Sequence, residues 1–242
     1  MVWETSSVEE KSCYGDEKQE MNKDIGVIFD FNGTCIFDGK YHNKAWQTYI
    51  EELTMKPVSD RDTSLWIIGK TPKEILEHFL GYELSDNMIN QFSEEKERLY
   101  RSLISKDDVP LAPGLKDFLN YLLLAQVKRT IATTANLENM NMYFERYNLD
   151  MWFRWEDIVI GAGNIPLKPH PDLYLAAIEK IGMPADHIVA FEDSESGVKA
   201  AYDAGIRHII AVTGDSWNTG LISKPGVYAQ IKDFTELNPD NF

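Results

Sequence analysis

Cysteine is scarce: 242 residues contain only Cys13 and Cys35, with no paired spacing. A disulfide framework or a cysteine-bound zinc site is therefore disfavoured, and two free thiols in a reducing compartment are expected. Positive charge is also short. Lys and Arg total 24 against 39 Asp and Glu, a formal net charge of −15. Such a surface repels phosphate backbones, so nucleic acid is not expected as a partner. It repels a small anionic substrate too, unless the site carries its own cation and lysines. No stretch approaches a membrane span, and the polar residues 1–24 lack the apolar core of a signal peptide. The expectation is a cytoplasmic protein with no membrane partner, a loose tail over 1–24, and a monomeric or weakly dimeric state. No repeat at solenoid or propeller period is present.

What the chain does have is 43% hydrophobic residues, enough for one sizeable core or a core with a smaller companion. From Ile25 a short apolar run ends at Asp30 and enters Asn32-Gly33, which reads as a buried strand running into a tight turn. Comparable runs cover 129–134, 157–160, 187–192 and 208–213, and helical patterns cover 114–124, 137–147, 171–181 and 196–204. Strands that alternate with helices, most of them near-continuous apolar runs, predict an α/β fold: a parallel sheet covered by helices on both faces. Between the first two strands the rhythm breaks. Helices alone are predicted there, over 42–53, 71–80 and 85–103, which implies a small all-helical cap domain inserted after the first strand. The expected division is 25–38 with 108–242 as the core domain and 39–107 as the cap, hinged near Gly39 and near 107–113.

Ligand sites of parallel sheets lie beyond the carboxyl ends of their strands. Those ends carry Asp30, Thr133-Thr134 and Glu192-Asp193, and Lys168 precedes a helix in Pro166-Leu-Lys-Pro-His-Pro171. Singly, such an aspartate is usually a turn residue, such a threonine a cap and such a lysine solvated surface. Together they form a phosphoryl-transfer set. Clustered carboxylates repel one another unless a cation joins them, so Asp30, Glu192 and Asp193 imply a divalent metal, and all-oxygen ligands favour magnesium. Thr134 and nearby backbone amides suit phosphoryl oxygens, Lys168 balances charge, and Asp30 suits the role of nucleophile.

The chain resembles the haloacid-dehalogenase-like superfamily, particularly its β-phosphoglucomutase-like branch, over roughly residues 25–215. Asp30-Phe-Asn-Gly-Thr34 resembles the first motif, Thr134 the second, Lys168 in Lys-Pro-His-Pro-Asp172 the third, and Glu192-Asp193-Ser194 with Gly197 the fourth. The resemblance implies a Rossmann-like core with a cap that closes over substrate, a Mg2+ cofactor and an aspartyl phosphate on Asp30. It implies Asp30, the Asn32 carbonyl and Asp193 as metal ligands, with Glu192 acting through water or behind them. It implies Thr134, the Ala135 amide and Lys168 as the phosphoryl cradle, and His42 and Lys96 as substrate-side candidates. Asn136 joins them as a candidate, as does Lys70, which with Lys73 is a substitute for a missing arginine and otherwise a plain surface lysine. Trp46 and Trp66 are possible walls, with cap core as their plainer role. Where the branch has a substrate-gripping arginine this chain has Pro72, so that contact is absent.

Asn32 is the main departure, because the family pattern has an Asp there that acts as general acid and base. A carboxamide does neither near neutral pH. The implied function is a magnesium-dependent phosphatase for a small phosphorylated metabolite, slowed or specialised by Asn32. The alternatives are a sugar-phosphate mutase, which would need those proton transfers in both half-reactions, and a phosphate-binding pseudo-enzyme. The Asn32-Gly33 step also predicts succinimide formation, which would turn part of the chain into an acid at position 32.

Overall fold

A computed structural model describes residues 25–161, 165–214 and 220–238. The segment 1–24, with Cys13, lies outside the described residues. Among the described residues two compact units are present: 25–36 with 111–238, and 37–110.

The larger unit is built on a six-stranded, wholly parallel sheet in the order β3-β2-β1-β4-β5-β6. Its strands are β1 (Gly26–Phe29), β2 (Lys128–Thr133), β3 (Val159–Ile160), β4 (Ile188–Glu192), β5 (His208–Val212) and β6 (Val227–Ile231). The first five follow the predicted runs. β6 was not predicted; it sits at the sheet edge and alternates half-buried and exposed residues until its last. An edge strand with one wet face lacks the continuous apolar run that marked the others.

Alternation along β1 sends successive side chains to opposite faces of the sheet. Ile28 joins Ala190 of β4 and the apolar faces of α7 (Asp172–Ile181) and α8 (Glu195–Asp203) in one core. Phe29 points the other way, stacked on Phe191 at 5.1 Å and edge-on to Phe118 of α5 (Leu115–Leu124). The sheet is thus covered on both faces, as expected. α6 (Leu137–Arg146) follows β2 directly, capped by Asn136.

The smaller unit is all helical: α1 (Gly39–Thr54), α2 (Asp60–Trp66), α3 (Pro72–Leu80) and α4 (Asp86–Ile104). Trp46, Tyr49, Ile50, Ile75 and Leu76 form its core. α2 was not predicted. It is seven residues long, buries none of them, and is held by a capping box between Ser59 and Asp62. Among the described residues no helix is long and apolar enough to cross a membrane.

Candidate active site

The turn after β1 is closed by hydrogen bonds from the Cys35 and Ile36 amides to the Phe31 carbonyl and from the Gly33 amide to the Ile36 carbonyl. Gly33 has φ +78°, and a β-carbon there would lie 2.1 Å from Oδ2 of Asp193. Position 33 therefore requires glycine twice over, for its backbone and for the carboxylate pressed against it. The turn brings the end of β1 against the end of β4.

Asp30, at the tip of β1, is 6% exposed. Burial raises its carboxyl to about 7, with Glu192 adding to the rise and Lys168 opposing it. The Lys168 ammonium has three hydrogens, and three acceptors surround it: Asp30 Oδ1 at 2.5 Å, Glu192 Oε1 at 2.6 Å and the Ala132 carbonyl at 3.0 Å. Burial works against its charge, but the two carboxylates outweigh burial and hold it above the ordinary lysine range.

Glu192 is fully buried. Its Oε1 accepts from Lys168 and from the Tyr174 hydroxyl at 2.7 Å, and its Oε2 accepts from the Asp193 and Ser194 amides and the Ser194 hydroxyl. Gly197 of α8 makes room for it, since a β-carbon there would lie 2.0 Å from its carboxyl carbon. Burial, then the Glu192 charge, pushes the Tyr174 phenol well above its usual range, so Tyr174 is a donor here and not a base. Asp30, Glu192 and Asp193 each offer a carboxylate oxygen within 4.8 Å of the others. Hard oxygen donors of this kind suit magnesium, so the residues fit the implied metal.

The predicted residues around β2 are placed less simply. Thr134 is exposed just past the strand. The Ala135 amide, expected at a phosphoryl oxygen, donates to Thr133 Oγ1 at 3.1 Å. Asn136 uses its Oδ1 to accept from the Asn139 amide, capping the start of α6. Asn32 donates through Nδ2 to the Tyr143 hydroxyl at 2.7 Å. Succinimide formation requires the Gly33 nitrogen to attack the Asn32 side chain. Here that amide is bonded to Ile36 and the carboxamide to Tyr143, so the turn opposes the expected deamidation. Cys35 is buried, with Sγ 3.1 Å from the Asp30 carbonyl, and burial followed by the Asp30 charge pushes its thiol well up. It is an inert neighbour of the site.

Within the helical unit, His42 and Lys96 meet: Nζ lies 2.8 Å from His42 Nδ1 and 2.7 Å from Glu97 Oε1. An ammonium only donates, so Nδ1 accepts and the ring hydrogen sits on Nε2, 3.3 Å from Asp38 Oδ2. Tyr100 stacks on His42 and donates to the same Asp38 oxygen. Burial lowers the Lys96 pKa, against the pull of Glu97 and Asp38. Lys70 is exposed before α3 and takes no part in this cluster. Trp46 is core, while Trp66 is 41% exposed and stacks on His78.

Tyr174 and Tyr143 were not predicted as site residues, whereas Thr133 was placed at the strand end and Ser194 in the fourth motif without a role of their own. Ser194 had a visible signal as the cap of α8, three residues before Gly197. Thr133 differs from Thr134 only by the exact end of β2. The two tyrosines come from helix interiors, where nothing local marks a hydroxyl as functional.

Residues 27–211 match the family described as haloacid dehalogenase-like hydrolase. A phosphorylated carbohydrates phosphatase of Thermotoga maritima is 27% identical, across 88% of this chain and 96% of that protein. A β-phosphoglucomutase of Bacillus subtilis is also 27% identical, across 74% and 80%. The crystal structure of a family IA, variant 3 HAD hydrolase from Entamoeba histolytica superposes with a TM-score of 0.84 at 33% identity, covering 88% of this chain and 95% of that one.

Proposed function

The chain belongs to the haloacid dehalogenase-like hydrolase family, and from that premise we propose that it is a magnesium-dependent phosphatase of small phosphorylated metabolites, with Asp30 as nucleophile. The observation that carries this reading is the buried Asp30–Lys168–Glu192 arrangement, with Asp193 beside it at the carboxyl ends of β1 and β4. The similarity to a phosphatase and a mutase named for phosphorylated sugars supports the substrate class.

Lys168 holds one oxygen of Asp30 and leaves the carboxylate oriented for attack on phosphorus. Attack joins Asp30 to the phosphoryl group and breaks the bond to the leaving oxygen. Water then attacks the same phosphorus, the bond to Asp30 breaks with its electron pair returning to the carboxylate, and phosphate departs, the protons of the water going to the phosphate or to solvent. Magnesium would be held by Asp30, Asp193 and the Asn32 carbonyl, and supplies positive charge against the phosphoryl oxygens. Glu192, with five donors on its two oxygens, holds Lys168 and the β4 turn in place behind them. Thr134 and the backbone after β2 are proposed to bind the remaining phosphoryl oxygens, with Ala135 exchanging its Thr133 contact for substrate. A mutase is disfavoured by Asn32, which cannot pass protons to and from sugar hydroxyls.

The test is phosphate release from a panel of phosphorylated metabolites, with magnesium and with a chelator. Release that requires the metal and disappears in Asp30→Ala supports the reading; release that survives Asp30→Ala refutes the nucleophile.

A further inference from the structure

Asn32 stands two residues beyond Asp30, on the same turn that carries Gly33 against Asp193. Its carboxamide is fixed: Nδ2 donates to the hydroxyl of Tyr143, which is fully buried and stacked on Phe31 with ring centres 4.7 Å apart. A carboxamide gives up no proton near neutral pH. The other side chains that the core unit gathers around Asp30 already have work, Asp193 as a ligand of the proposed metal. Lys168 donates to Asp30, Glu192 and Ala132. Glu192 accepts from five donors, Thr133 accepts from the Ala135 amide, and Asn136 caps α6. Among these described residues none is an acid placed to protonate a leaving oxygen.

In the first half-reaction that constraint falls on the leaving oxygen; in the second, Asn32 takes no proton from the attacking water either. When Asp30 attacks phosphorus, the electron pair of the breaking P–O bond goes to the leaving oxygen. An alcohol leaves as an alkoxide unless it is protonated as the bond breaks, whereas an acyl phosphate releases a carboxylate, stable as the anion because its acid has a pKa of about 4. Resting on the phosphatase reading above, we propose that this site takes phosphoanhydrides, acyl phosphates first, in preference to phosphate esters of alcohols. The products of the first half-reaction are then aspartyl phosphate at Asp30 and a free carboxylate, with no proton needed.

General acid catalysis is typically worth ~10²–10⁴-fold, so the selectivity is large enough to measure. The probes are acetyl phosphate, phenyl phosphates with graded ring substituents, and glycerol 3-phosphate, assayed on the full chain with magnesium. The quantity read is kcat/KM, because it reports the steps through phosphorylation of Asp30 and is blind to slow hydrolysis afterwards. Across the series kcat/KM is expected to fall steeply as the leaving group becomes more basic. In Asn32→Asp the preference for acetyl phosphate over glycerol 3-phosphate is expected to shrink by about 10²-fold or more, with intact mass following the phosphorylated chain as an independent readout.

A flat dependence on leaving group in the unaltered chain overturns the proposal. So does an Asn32→Asp variant that gains equally on both kinds of substrate. Should the variant fail to fold, the slope of the unaltered chain decides alone. Phosphate release from no probe, by either chain, overturns the phosphatase reading itself and the selectivity with it.

Discussion

The ammonium of Lys168 lies 2.5 Å from Oδ1 of Asp30, with both side chains nearly excluded from solvent. Glu192 shares that ammonium at 2.6 Å from a fully buried position. Removing one partner from a buried pair leaves an uncompensated charge, typically at a cost of about 3–5 kcal/mol. Lys168→Ala is therefore expected to lower the unfolding free energy by roughly that much, as well as to lower phosphate release. Denaturant melts check the first effect; a loss below about 1 kcal/mol would place the pair among weak surface bridges.

Tyr174 offers a gentler intervention. Its ring is buried in the α7 core and its hydroxyl donates to Glu192. Tyr174→Phe keeps the ring and removes one donor from a buried carboxylate, for an expected destabilisation of about 1–3 kcal/mol. Because Glu192 holds Lys168, kcat is expected to fall while KM changes little. A purely structural role would lower the melting temperature and leave kcat per folded molecule unchanged.

Gly33→Ala tests how the site is assembled. The new β-carbon meets Asp193 Oδ2 at a distance no real contact shows, on a backbone at φ +78°. Asp193 must move, and with it a proposed metal ligand. Magnesium affinity, measured by calorimetry, is expected to weaken at least about tenfold, the lower end of what misplacing a metal ligand's support costs. Unchanged affinity would remove Asp193 from the ligand set.

The elevated Asp30 carboxyl makes metal binding depend on pH. With its pKa raised to about 7 by burial in the metal-free protein, Asp30 is mostly protonated below that value and mostly ionised above it. Magnesium takes the ionised form and displaces the proton. Affinity is thus expected to be nearly constant above pH 8 and to fall as pH drops through 7, approaching tenfold per unit at the acid end. Titrations in buffers of different ionisation enthalpy report the released proton directly. Equal affinity at pH 6 and pH 8, with no proton released, contradicts the assignment.

How much of this was legible in the sequence follows from where each residue's signal lies. β1, β4 and β5 are buried on both faces over most of their length, so residues 26–29, 188–191 and 209–212 stand out as unbroken apolar runs. β6 has one wet face and α2 buries nothing, so neither carries a hydrophobic pattern to read. Asp30, Lys168, Glu192 and Asp193 interrupt or end such patterns, and the parallel topology says where strand ends meet. The sequence does not carry the contacts that only packing creates. Tyr143 reaches Asn32 across 111 positions, and Tyr174 reaches Glu192 from inside a helix whose tyrosine reads as core. Nor does it show that the Ala135 amide is bonded to Thr133, a matter of local turn geometry.

The central claim is that Asp30 accepts the phosphoryl group, and the most direct measurement is to catch it there. The full chain is mixed with magnesium and acetyl phosphate, quenched in acid, digested and mapped by mass. One phosphoryl group on the peptide containing Asp30, absent in Asp30→Ala, is the expected result. Phosphate turnover with the label on another residue, or undiminished in Asp30→Ala, would contradict the account.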